Sequence, residues 1–160
     1  MENRPTELIA SLGLRPHPEG GHYLEVFRSA QQVPGRDGRP RSACTHILFL
    51  LASGERSRWH RLGSDELWHY YEGSPLQLLT AGPAPSAVEI RQLGALADGA
   101  RPCLDVPAGS WQAARPLGAF TLAGCTVAPG FEFRDFTLLA DAPAELAELL
   151  ARGLEPGDLL

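Results

Sequence analysis

The stretch Trp59-His60-Arg61-Leu62-Gly63-Ser64-Asp65-Glu66-Leu67-Trp68-His69-Tyr70-Tyr71 decides how this chain is read. Of only five histidines in the chain, two fall here within ten residues of each other, beside a glutamate and several aromatic side chains. Side chains alternate faces along a strand, so Arg58, His60 and Leu62 share one face. Beyond the turn at Gly63-Ser64-Asp65, Glu66, Trp68 and Tyr70 share a face, and Leu67, His69 and Tyr71 take the other. His60 and Glu66 are therefore expected to face one another across a hairpin, with His69 turned away unless a bulge intervenes.

Working outward, further short β-like runs are expected at His22 to Ser29, Ala43 to Leu51, Leu76 to Thr80, Val88 to Leu93, Cys103 to Val106, Trp111 to Ala114, Ala119 to Ala128 and Phe133 to Leu139. Turn residues separate them, and the 17 glycines and 14 prolines suit tight turns better than a helical bundle. The spacing predicts an all-β sandwich or barrel in one domain over residues 1–160. A short helix is expected first, capped by Thr6 and stopped by Gly13, and a second one last, with Pro143 in its first turn and Gly153 after it. Gln31 to Arg41 reads as a loop, either a hairpin tip or a partner-contacting arm, and Ala81 to Ser86 as one strand connection.

The chain of 160 residues carries a formal charge of −5, and all 14 of its basic residues are arginine. The missing lysine excludes a P-loop lysine, a pyridoxal-phosphate Schiff base and a lysine base. The acidic balance argues against a nucleic-acid partner. Cys44, Cys103 and Cys125 lack metal-type spacing and read as buried reduced thiols. Met1 to Pro5 is polar and no apolar run reaches the ~18 residues of a membrane span, so no leader and no membrane partner are expected, and the location expected is cytoplasmic.

Gly54, five residues, His60, one residue, Leu62, three residues, Glu66, six residues, Gly73 resembles the first motif of the cupins. Leu62 stands where metal-binding cupins have a second histidine. Pro107-Ala108-Gly109-Ser110-Trp111-Gln112 resembles the second motif, with Gln112 in place of the remaining metal histidine. His17-Pro18-Glu19-Gly20-Gly21-His22-Tyr23, Ser64 to His69 and Gly124 to Phe131 resemble, more narrowly, an uncharacterised branch of the RmlC-like cupins known as cupin type five, over roughly Leu12 to Leu150. The resemblance implies a double-stranded β-helix, the cupin jelly roll, usually a homodimer, with a small-molecule pocket inside the barrel. It implies no particular reaction.

The reading that follows is a metal-independent epimerase or isomerase acting on a carbohydrate-like or hydroxy-carbonyl metabolite. In it His60 is the base, Glu66 orients and supports its ring, and Tyr70 is the acid. Tyr23, Glu25, His69 and Gln112 are the expected substrate contacts. Two alternatives stand beside it: a binding cupin without catalysis, and a divalent-metal enzyme holding its ion through His60 and Glu66 with help from Gln112 or His69. No cofactor is expected in the first reading. His17 is expected as a loop residue, Glu19 as part of a turn, and His46 as a satisfied core or cavity-wall residue.

Overall fold

Alternation of buried and exposed side chains along Asp65–Gly73, with Glu66 and Trp68 inside and Asp65 and Leu67 outside, is the local rule from which the architecture is built. A computed structural model describes residues 4–82, 88–97 and 99–160. Helix α1 (Arg4–Leu12) is followed by β1 (Arg15–Pro16), β2 (His22–Arg28), β3 (Gln32–Pro34), β4 (Pro40–Ser42), β5 (Thr45–Ala52), β6 (Ser57–Arg61) and β7 (Asp65–Gly73). Then come β8 (Leu76–Ala81), β9 (Glu89–Leu93), β10 (Cys103–Val106), β11 (Trp111–Pro116), β12 (Phe120–Ala128), β13 (Thr137–Leu138) and helix α2 (Pro143–Ala151).

Two antiparallel sheets face each other as a jelly-roll sandwich, one ordered β1-β2-β5-β12-β7-β10 and the other β13-β6-β11-β8-β9. Phe49, Leu51 and Trp68 from the first sheet meet Leu76, Leu78 and Leu93 from the second in the central core. The outer face of the second sheet buries Trp59, Trp111 and Ala113 under α2 and the chain after it, through Leu149, Leu154 and Leu159. Part of the other outer face buries Leu50, Phe120 and Leu122 under Leu8 of α1. Each fully buried large apolar side chain contributes roughly 1.5–3 kcal/mol.

His60 and Glu66 do face each other, but across the sandwich. The β6 strand pairs with β11 and β13, whereas β7 pairs with β12 and β10, so the link at residues 62–64 crosses from one sheet to the other instead of closing a hairpin. The expected strand Phe133 to Leu139 is instead a 3-10 turn, Phe133–Asp135, followed by the two-residue β13 and another 3-10 turn. Its aromatic rings pack on one another and on His17, and Asp135 is held by the buried Arg41 guanidinium, neither of which suits a regular ladder. Thr6 lies inside α1, which starts at Arg4. Gln32–Pro34 and Pro40–Ser42 make a small separate hairpin. Cys103 is exposed on β10, at the sheet edge, and only Cys125 of the three thiols is buried. Residues 83–87 and 98 of the expected turns lie outside the described residues.

Candidate functional site

The turn between β1 and β2 carries the first half of the site. The His17 N–H donates to Gly21 O at 2.9 Å, the Gly20 N–H donates to His17 O at 3.0 Å, and the Arg58 N–H donates to Glu19 O at 2.8 Å, so the turn is stitched to itself and to β6. Gly20 has φ +114, and a Cβ there would lie 2.0 Å from the Arg56 carbonyl oxygen. Only glycine fits that position, and this fixes Glu19 pointing inward.

Glu19, His60 and Glu66 are all buried and line one cavity of about 210 Å³ between the sheets, together with His17. Its walls are Ile47, Leu62, Val127 and Tyr23, and Arg15, Glu25, Arg28 and Phe133 stand at its mouth. That volume is below the roughly 300–1,000 Å³ of sites for drug-sized ligands, so it suits a small one.

The hydrogen bonds fix the chemistry of His60. Its Nδ1 lies 2.7 Å from the Arg58 carbonyl oxygen, which only accepts, so Nδ1 carries a proton. Its Nε2 lies 3.2 Å from Glu19 Oε2, and the other Glu19 oxygen accepts from the Ser57 hydroxyl at 2.8 Å. Glu19 Oε2 and His60 Nε2 thus face each other closely enough to pass a proton between them. The His17 Nδ1 accepts the Glu19 N–H at 3.2 Å, which leaves the His17 proton on Nε2 in the neutral ring.

Glu66 is held differently. Gln112 Nε2 donates to Glu66 Oε2 at 2.5 Å, and Gln112 Oε1 accepts from Trp68 Nε1 at 2.9 Å. Because an indole only donates, the amide of Gln112 has one possible orientation. Burial pushes the Glu66 carboxyl up to about 7; Glu19 adds to the rise, while His60, Gln112 and the Cys125 thiol oppose it. Burial likewise raises Glu19 and lowers His60 and His17. Burial beside Glu66 and Glu19 raises the Cys125 thiol well above its ordinary value, so it is a proton donor and not a thiolate.

Of the residues expected from the sequence, His60, Glu66, Tyr23 and Glu25 line the cavity. Gln112 sits behind Glu66 as its donor. Tyr70, expected as the acid, is elsewhere: its hydroxyl donates to Gly73 O at 2.6 Å, and its ring packs against the central core. His69 points to the outer face, where its Nε2 meets Thr126 Oγ1 at 3.1 Å beside His46. The ring of His60 is oriented by the Arg58 carbonyl and Glu19, and not by Glu66. Glu25 is paired with Arg28 through two hydrogen bonds of 2.8 and 2.9 Å. Sequence reasoning took His17 and Glu19 for loop and turn residues, and missed Arg15 and the pocket role of Cys125. The one signal for His17 and Glu19 was the segment His17 to Tyr23, in which two glycines directly follow an acid.

The Cupin superfamily (DUF985) family matches residues 6–139. The chain therefore belongs to that cupin family. A hypothetical protein from Leishmania major is 34% identical, with 92% of this chain and 93% of that one covered at a TM-score of 0.84. A Shewanella oneidensis protein of known structure is also 34% identical, over 94% of this chain and 97% of that one, at a TM-score of 0.76. Oxalate decarboxylase from Bacillus subtilis, at 12% identity, covers 91% of this chain and 37% of its own at a TM-score of 0.58, a likeness of fold alone. No curated protein matches.

Many cupins hold a metal, but the donors here do not fit one. Leu62 presents carbon to the cavity, the Gln112 carbonyl is taken by Trp68, and His69 lies on the other face of its strand. Among the described residues no group of three or more His, Cys, Asp or Glu side chains is arranged to hold a metal ion. Among them, too, no helix is long and apolar enough to cross a membrane.

Proposed function

We propose that this cupin is a metal-independent isomerase or epimerase, moving a proton next to the carbonyl of a small carbohydrate-like or hydroxy-carbonyl metabolite. The observation that carries the reading is two proton-holding stations, the Glu19–His60 pair and Glu66, on the floor of one apolar-walled pocket. A carboxyl near 7 is part protonated at neutral pH, so Glu66 can take a proton from carbon and return it. As the C–H bond breaks, its electron pair moves towards the carbonyl oxygen, and a proton on the Glu19–His60 pair is available there. In this reading Glu66 takes the base role that the sequence gives to His60, and the Glu19–His60 pair takes the acid role that it gives to Tyr70.

The test is solvent deuterium exchange into a panel of hydroxy-ketones and keto-sugars, with wild type beside Glu66→Gln and His60→Gln. Each variant should lose about 10²–10⁴-fold in exchange rate. Ligand-induced stabilisation with no exchange anywhere on the panel would replace the enzyme reading by that of a binding cupin.

We also infer that the chain works as a homodimer. Support comes from the outer face of the first sheet beyond α1, where Phe27, Leu67 and Tyr71 are exposed around His46 and Thr126. Sedimentation as a monomer at micromolar concentration would overturn this.

A further inference from the structure

The two arginines at the cavity mouth differ in one respect. Arg28 is neutralised: it forms two hydrogen bonds to Glu25, lies 3.4 Å from Glu132, and donates to Phe131 O at 3.0 Å. Arg15 also lines the cavity, yet among the described residues it makes no ion pair. Its guanidinium carbon lies 5.5 Å from the centre of the Tyr23 ring, its cross-strand partner, and that ring is in turn set edge-on to His17 at 4.6 Å. Stacking on an aromatic face holds the planar fork in place while leaving its N–H groups free.

We propose that Arg15 is a specificity-determining residue that binds the carboxylate of a small monoanionic substrate, placing the carbon next to that substrate's carbonyl over Glu66 and the Glu19–His60 pair. The inference rests on the proton-transfer reading of the same site and adds the substrate class. One uncompensated guanidinium matches one carboxylate in charge and in its two-pronged geometry. Among the described residues a dianionic phosphate would meet one free cation, in a pocket that also holds Glu19 and Glu66. The cavity of about 210 Å³ limits the ligand to a short chain. The substrate class is thus a short 2-oxo or hydroxy-oxo monocarboxylate.

The experiment is titration calorimetry of the full chain with pyruvate and 2-oxobutyrate, their neutral amides, and dihydroxyacetone phosphate as the phosphate arm. It uses wild type, Arg15→Gln and Arg15→Lys. The expected result is that the carboxylates bind at least about tenfold more tightly than the amides, and that Arg15→Gln erases the preference while Arg15→Lys keeps part of it. Because Arg15 is exposed, the thermal midpoint without ligand should stay put in both variants, which separates lost recognition from lost folding. Equal binding of acid and amide, preference for the phosphate, no binding of any carboxylate, or an unchanged preference in Arg15→Gln would each overturn the assignment. Deuterium exchange into the same compounds separates the two readings. Arg15-dependent carboxylate binding without exchange sinks the proton-transfer reading alone, and exchange into the neutral amides that ignores Arg15 sinks this one alone.

Discussion

His60 Nε2 and Glu19 Oε2 lie 3.2 Å apart, although Glu19 sits in a turn of one sheet and His60 on a strand of the other. With Nδ1 committed to donating to a carbonyl, a neutral His60 has its lone pair on Nε2, the atom that faces the Glu19 carboxyl. Glu19→Gln keeps that geometry, since its amide can donate to Nε2 and still accept from Ser57. Stability should therefore change by only about 1 kcal/mol, while proton exchange into substrate should fall about 100-fold or more. Full exchange activity in a folded Glu19→Gln protein would remove Glu19 from the chemistry.

The raised Glu66 carboxyl predicts a pH-dependent stability with a definite sign. The folded protein holds this proton up to about 7, against an ordinary value of 4.5, so between those values the folded state binds more protons than the unfolded one. Stability from this group is complete below 4.5 and is lost as the pH rises through 7, a change of about 3 kcal/mol. His60 and His17, with lowered values, work in the opposite direction, so the informative quantity is the difference between proteins. Urea unfolding of wild type and Glu66→Gln from pH 4 to 8 should show the variant gaining relative to wild type as pH rises. Parallel curves would mean that the carboxyl is already ionised at pH 5.

Gln112 bridges two buried groups from the opposite sheet. Gln112→Leu fills similar space but leaves the Trp68 indole N–H and one Glu66 oxygen without partners. Each such orphan costs about 1–3 kcal/mol, so a loss of about 2–5 kcal/mol is expected in equilibrium unfolding. The Glu66 carboxyl, relieved of a donor that favours its charged form, should titrate higher still, shifting the alkaline rise of the exchange rate upward. An unchanged pH profile would show that Gln112 does not govern that proton.

Metal analysis of untagged protein, purified without chelator, should find the same substoichiometric trace in wild type and in His60→Ala. Near-stoichiometric metal that disappears with His60 would reinstate the metal reading against the donor argument built on Leu62 and Gln112.

What could be read from the sequence follows from which signals are local. Strand alternation at Glu66 and Trp68, the Pro143 start of α2 and the glycine-rich turns are set by neighbours in the chain, and they were legible. The cupin spacing added His60, Glu66 and Gln112. Sheet membership is not local: nothing in Leu62-Gly63-Ser64 distinguishes a hairpin from a crossing between sheets, so the facing of His60 and Glu66 was expected for the wrong reason. Tyr70 shared the face of Glu66 by parity, but lies four residues further along β7, where its hydroxyl finds Gly73 instead of the pocket. Glu19 read as a turn residue because its burial depends on β6, about forty residues away.

That dependence makes the turn itself testable. A Cβ at Gly20 would sit 2.0 Å from the Arg56 carbonyl oxygen at φ +114, whereas one at Gly13, with φ +67, meets nothing within 4 Å. Both alanine variants carry backbone strain, but only Gly20→Ala must also push a backbone apart, and the backbone it pushes leads into Ser57 and Arg58, which hold Glu19. Gly13→Ala should cost about 1 kcal/mol and leave exchange activity intact. Gly20→Ala should cost about 3 kcal/mol or more. The molecules that remain folded at low temperature should still be impaired in exchange, because Glu19 no longer reaches His60 Nε2. Equal stability losses in the two variants, measured by urea unfolding, would show that the turn gives way without straining β6. Full activity in folded Gly20→Ala would show that the Glu19–His60 contact does not depend on the turn.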